Sequence, residues 1–107
     1  MTEQERLDRR LGLDEYLSEE YGPGVVHLDG PEFDDGIVGI THDGRLVYSY
    51  AKLAAALAEA NGWTAEDAVD WIEFNTMRTL PYIGGDAPVV MYDLDPNDFV
   101  KKSSSST

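Results

Sequence analysis

Two short apolar runs meet at a turn in the middle of the chain, and no other local signal restricts the fold as strongly. Ile37-Val38-Gly39-Ile40-Thr41 and Leu46-Val47-Tyr48-Ser49 are rich in β-branched and aromatic residues and are separated by His42-Asp43-Gly44-Arg45. Asp-Gly is a preferred centre of a two-residue hairpin turn, in which both central residues take positive φ. With Asp43-Gly44 as that centre, His42 faces Arg45, Thr41 faces Leu46, Ile40 faces Val47 and Gly39 faces Tyr48. Gly39 then leaves space for the Tyr48 ring across the partner strand.

A hairpin alone is not stable, so its apolar face needs helices. Leu7, Leu11, Leu17 and Tyr21 recur mostly four apart. Gly12 interrupts the pattern, which predicts one helix to about Arg10 and a second over Asp14–Tyr21, with Asp14 as N-cap. Gly22-Pro23-Gly24 ends that segment. Val25, Val26 and Leu28 suggest a short edge strand in the acidic loop to Gly36. Ser49 to Asn61 reads as an alanine-rich, thin helix that stops at Asn61-Gly62. Thr64-Ala65-Glu66-Asp67 opens the next helix as a capping-box variant. That helix ends near Thr79, because Pro81 disfavours helical geometry at Leu80. Val89-Val90-Met91-Tyr92 reads as a third strand. The expected fold is α+β: a small antiparallel sheet, hairpin plus a third strand, packed by helices in the order αα-β-β-α-α-β. One acidic domain is expected over residues 1–100, with a disordered tail at 101–107 that ends in a low-complexity Ser103–Thr107 run.

Charge narrows the function. The chain carries 21 acids against 8 bases, a formal −13. Five of the bases are Arg6, Arg9, Arg10, Lys101 and Lys102, so Leu11 to Val100 holds 18 acids and 3 bases, or −15. Such a body repels DNA, RNA and anionic membranes. The same acid excess also suits solubility or adaptation to high salt, and charge alone does not separate these from a surface that meets a basic protein. No apolar run is long enough to span a bilayer, and Met1 to Arg6 has no apolar core of a secretory signal. A cytoplasmic protein is expected. With no cysteine, there is neither a disulfide nor a thiolate metal site.

Chemical motifs are sparse. Asp93-Leu94-Asp95-Pro96-Asn97 echoes the start of a calcium loop, but Asp98 stands where the sharp turn needs glycine and Ser104 where the bidentate glutamate belongs. His27 and His42 have no metal-ligand spacing. No nucleophile elbow, phosphate loop or dinucleotide fingerprint is present. No cofactor is expected, and a non-enzymatic role is favoured over a small hydrolase.

The richest segment is Glu73 to Tyr82. On ideal helical spacing Glu66, Asp70 and Glu73 form one acidic stripe, flanked by Phe74 and Met77. Those two apolar residues are either covered by the N-terminal helices or exposed as anchors inside an acidic patch. Asn75 falls on the side of Ala68 and Ile72; the expectation is a buried amide that satisfies the following loop, the alternative a ligand contact. Arg78 is expected to pair with a nearby carboxylate.

Ile37-Val38-Gly39-Ile40, Asp43 to Tyr50, and Ala68-Val69-Asp70-Trp71-Ile72-Glu73-Phe74-Asn75-Thr76 with Arg78, Leu80, Pro81 and Tyr82 together resemble a family of small proteins of phages and bacterial mobile elements. The match covers residues 33–92, and the helix running into Leu-Pro-Tyr is its distinctive part. The resemblance implies a context in which small acidic proteins inhibit host defence, as anti-CRISPR and anti-restriction proteins do. It carries no catalytic or binding residues with it.

The leading expectation is therefore an inhibitor that presents carboxylates where phosphates would sit, to a basic nucleic-acid-binding protein or CRISPR effector complex in the host cytoplasm. Glu66, Asp70, Glu73 and Phe74 would form the contact, extended by Asp14, Glu15, Glu19 and Glu20 and by Asp34 and Asp35 (with Asp29 and Glu32). The alternative is an adaptor whose charge is incidental and whose binding surface is apolar, around Tyr48, Tyr50, Trp63 and Tyr82.

Overall fold

The first helix, α1 (Glu3–Tyr21), is continuous through Gly12. Thr2 starts it with a capping box: its hydroxyl accepts from the Glu5 N–H, and the Glu5 carboxylate accepts from the Thr2 N–H. A mid-helix glycine costs about 1 kcal/mol, and the inward side of α1 compensates through Leu13 and Leu17 in the core and the anchored Arg9 and Arg10. The expected break at Gly12 is thus overridden by tertiary packing. Asp14 caps nothing; it lies within α1 and pairs with His27 at 3.0 Å. The computed structural model describes residues 1–99 of the chain, and the expected tail at 101–107 lies outside the described residues.

After α1 the chain has no strand at Val25–Leu28. It passes through a 3₁₀ turn (Pro31–Gly36) into β1 (Ile37–Ile40), β2 (Leu46–Ser49), α2 (Tyr50–Asn61) and α3 (Ala65–Trp71). From α3 the helix widens into a π-helical turn (Ile72–Met77), tightens to a 3₁₀ turn (Leu80–Tyr82) and leads to β3 (Val89–Met91). Helices and one small three-stranded sheet make the α+β class.

The hairpin differs from the sequence expectation by one residue. Among the described residues none other than glycine has positive φ, so Asp43 does not take the conformation a two-residue turn demands. Gly44 alone does, at φ +86°. The Thr41 N–H donates to the Arg45 carbonyl at 2.8 Å, which closes a three-residue loop over His42, Asp43 and Gly44. The Thr41 hydroxyl binds the Asp43 carboxylate and accepts from the Arg45 N–H. Ile40 consequently faces Leu46 and Gly39 faces Val47. A bulge at Val38 absorbs one residue, so that Tyr48 faces Ile37.

The sheet is mixed. Its order is β1-β2-β3, with β1 antiparallel to β2 and β3 parallel to it, pairing Val47 with Val89 and Ser49 with Met91. The expected all-antiparallel arrangement fails because α2 and α3 carry the chain back across the sheet before β3, as a parallel partner requires. Ser49 joins the layers: its buried hydroxyl caps α2 by accepting from the Lys52 N–H and donates to Asp93 beyond β3.

The core lies between α1, α2, α3 and the sheet. Leu17, Leu28, Phe33, Leu46, Tyr48, Leu53, Leu57, Ala68 and Ile72 are buried together. Tyr48 is fully buried, and its hydroxyl accepts from the Leu28 N–H at 3.0 Å. The thin α2 admits close approach. A Cβ at Gly36 would stand 2.7 Å from Leu53 Cδ2 and 3.0 Å from its Cγ, so only glycine fits unshifted there.

One polar hub ties α1 to the following segment. The Arg10 guanidinium donates to both Asp34 oxygens (2.8–3.1 Å), to the Leu28 carbonyl (2.9 Å) and to the Gly30 carbonyl (2.8 Å). The Asp34 side chain is only 4% exposed. Burial works against the Arg10 charge, but the hydrogen bonds and charge of Asp34 outweigh it and raise the Arg10 pKa. Arg9 adds an outer pair with Asp35 and a bond to the Pro31 carbonyl.

Candidate functional site

The expected contact residues separate into three groups. Asp34 and Asp35 are committed to Arg10 and Arg9, and Asp34 is sealed inside the hub, so it is withdrawn from any surface. Glu15, Glu19 and Glu20 are exposed on α1, while Asp14 is half-buried against His27. At 100° per residue, Glu15 and Glu19 point away from the side that carries Arg10, Leu13 and Leu17. The third group, Glu66, Asp70, Glu73 and Phe74, gathers on α3 and its π-helical extension and is exposed.

Thr64 fixes the phase of α3 by accepting from the Asp67 N–H at 3.1 Å. Ala68 and Ile72 then face the core and are fully buried. The wider turn from Ile72 re-aims the side chains beyond it. Asn75 is exposed rather than buried, and its amide N–H donates to the Trp71 carbonyl one turn back at 2.9 Å. The Thr79 hydroxyl donates to the Asn75 and Thr76 carbonyls where the helix tightens again. These side chains satisfy backbone acceptors that a regular helix would have paired. Isolated π-helical turns occur frequently at functional sites. Met77 packs against the core, whereas Phe74 remains 67% exposed, so α1 does not cover it. Arg78 is exposed and makes no ion pair among the described residues, contrary to expectation.

Around this turn lie two open grooves that share Trp71 and Asn75. One, of about 330 Å³, is lined by Trp63, Asp67, Asp70, Trp71, Phe74 and Asn75. The other, of about 400 Å³, lies on the opposite flank between Trp71 and residues such as His27, Asp29 and Ile83. Trp71 is held from beneath by Phe33, with ring centroids 5.8 Å apart. Beside the first groove, the Tyr50 hydroxyl donates to the Glu73 carboxylate at 2.7 Å, and the Tyr50 ring stacks on Tyr92 at 5.0 Å. Burial, then Glu73, pushes the Tyr50 phenol up to about 12; Tyr92 and Asp70 act in the same direction.

The face therefore alternates rings and carboxylates. Asp67, Trp63, Trp71 and Tyr92 belong to it, although the stripe read from ideal spacing contained only Glu66, Asp70 and Glu73, flanked by Phe74 and Met77. The Thr64 cap held the signal for Asp67, since it sets where the first turn begins. Nothing local indicated the π-helical turn or the return of Tyr92 beside Tyr50. Of the apolar alternative, Tyr48 and Tyr50 are buried in the core, while Trp63 and Tyr82 reach the surface, Tyr82 at 89% exposure.

Among the described residues no group of three or more His, Asp or Glu is placed to hold a metal ion. In the calcium-like segment, Asp93 accepts from Ser49 and Asp95 accepts from the Asn97 N–H, so one carboxylate ties the segment to the start of α2 and the other serves the local turn. No described helix is long and apolar enough to cross a membrane. No protein-family model, curated protein or solved structure matches this chain.

Proposed function

We propose that this protein binds the basic, nucleic-acid-contacting surface of another protein and blocks it by presenting carboxylates in place of phosphates. The class of target that suits it is a host defence complex such as a CRISPR effector, with the chain supplied by a phage or mobile element. One observation carries the reading. Residues 1–99 hold 21 acids and 6 bases, and Arg9, Arg10 and Arg45 are already paired with Asp35, Asp34 and Asp43. The negative surface is thus nearly unopposed, and Glu66, Asp67, Asp70 and Glu73 have no basic partner among the described residues. Residues three or four apart on a helix have Cβ atoms about 5–6 Å from one another, so such carboxylates come within reach of a cleft that tracks the closely spaced phosphates of a duplex.

The test is affinity capture from bacterial lysate with the pure protein as bait, at low and high salt, with and without competing DNA. Recovery of a nucleic-acid-binding protein that salt and DNA both release supports mimicry. A partner insensitive to both refutes it and favours the adaptor reading. That second reading is supported by the exposed rings of Phe74, Tyr82 and Tyr92, which fit an apolar contact better than a phosphate-like one.

A further inference from the structure

We infer that the groove between Trp63 and Phe74 is a receptor for an arginine side chain of the basic partner. This deepens the proposed function and rests on it, because it names the anchoring chemistry at one point of the acidic face. Three rings (Trp63, Trp71, Phe74) and two carboxylates (Asp67, Asp70) line the groove. Asn75 donates its amide N–H to the Trp71 carbonyl, which leaves its side-chain oxygen as an acceptor. Acceptors therefore outweigh donors in the lining: the two carboxylates and the Asn75 oxygen accept, against the indole N–H groups and the second amide hydrogen of Asn75, and two of the acceptors are anionic. The complementary ligand is a cation rich in donors. No described lysine, arginine or histidine lines the groove, so its charge is not met from within.

Shape selects guanidinium over ammonium. A guanidinium is flat, stacks on indole and phenyl faces, and offers forked donors that match carboxylates; an ammonium is a compact, strongly hydrated point charge. A volume of about 330 Å³ lies at the small end of ligand pockets and suits one inserted side chain better than a cofactor. Desolvated aromatic and arginine contacts are also the usual energetic centres of protein interfaces.

The chain's two tryptophans both line this groove, and Trp63 lines this one and not its neighbour, so their fluorescence responds to its occupancy. The experiment titrates the full-length protein with an arginine-rich peptide and with lysine and citrulline counterparts of equal length. Expected is a saturable change in emission with the arginine peptide, weaker binding of the lysine peptide, and none with citrulline. Asp67→Asn with Asp70→Asn should lower affinity by roughly tenfold or more. Phe74→Leu should lower it less, at unchanged net charge. Glu3→Gln with Asp86→Asn removes the same charge elsewhere and should have a far smaller effect. Thermal melts of each variant separate lost binding from lost folding.

Equal binding of the lysine and arginine peptides overturns the guanidinium assignment. Equal loss of affinity from both acid pairs overturns the groove and leaves charge-led binding by the whole surface standing. If no basic peptide binds, both this inference and the proposed function fall.

Discussion

Replacing Arg10 by methionine removes the cation of the hub and keeps most of its aliphatic volume. Asp34 is then left as a carboxylate with a 4% exposed side chain and no cation. The Leu28 and Gly30 carbonyls lose the donor that reached them at 2.9 and 2.8 Å. Breaking a buried pair by removing one partner costs about 3–5 kcal/mol, a large part of the ~5–15 kcal/mol that holds a domain together. At about 4–8 °C per kcal/mol for a domain near this size, the melting temperature should fall by more than about 12 °C. The double variant Arg10→Met with Asp34→Leu should recover most of that loss, because well-packed apolar groups replace a buried pair at little net cost. Urea unfolding followed by tryptophan fluorescence measures Arg10→Met, Asp34→Leu, the double variant and the parent. Trp71 is a fitting probe, since it packs on Phe33, the neighbour of Asp34. A loss below about 1 kcal/mol for Arg10→Met is the size of an exposed ion pair and would refute the reasoning, as would strictly additive single-variant effects.

Gly36→Ala places a methyl 2.7 Å from Leu53 Cδ2, and the overpacking should cost about 1–3 kcal/mol in denaturant unfolding. Ser49→Ala removes both the α2 cap and the bond to Asp93; a loss of about 1–2 kcal/mol is expected. Burial pushes the Tyr48 and Tyr50 phenols up to about 12. The folded state therefore holds protons that the unfolded state releases near pH 10, so stability is intact below that point and falls as pH rises from about 10 to about 12. Tyrosinate absorbance of the native protein should show these two of the six tyrosines titrating late, and a single transition of all six in the ordinary phenol range would contradict it.

Local signals in the chain were sufficient for the elements that local chemistry decides. Thr64 and the alanine-rich run announced α3 and α2, and the apolar runs around His42-Asp43-Gly44 announced a hairpin. Elsewhere distant residues decide. Gly12 looked like a break because its cost is local, whereas the compensation from Arg10 and Asp34 spans 24 residues. The hairpin shifted by one residue because Thr41 stabilises a loop in which only Gly44 needs positive φ. The direction of β3 depends on how α2 and α3 return the chain, which no short window contains. At the candidate site, the carboxylates were visible as a stripe, but the groove depends on the π-helical turn and on Trp71 held by Phe33. The acids at Asp34 and Asp35 looked like surface charge because nothing nearby in sequence reveals that two arginines of α1 reach them.

The parallel partnership of β2 and β3 has a consequence for how the molecule is made. As the chain leaves the ribosome, β2 is complete at Ser49, but Val89 emerges forty positions later. At roughly 5–20 residues per second, β2 waits about two to eight seconds with one row of its peptide groups unpaired. A naked strand rim is an invitation for neighbouring copies to pair with it. The acids of α1, the Asp29 to Asp35 segment, α2 and α3 are all synthesised within that interval or before it. If mutual repulsion among nascent chains protects the open rim until β3 covers it, neutralising those acids should lower the yield of correctly assembled protein before it alters the finished fold.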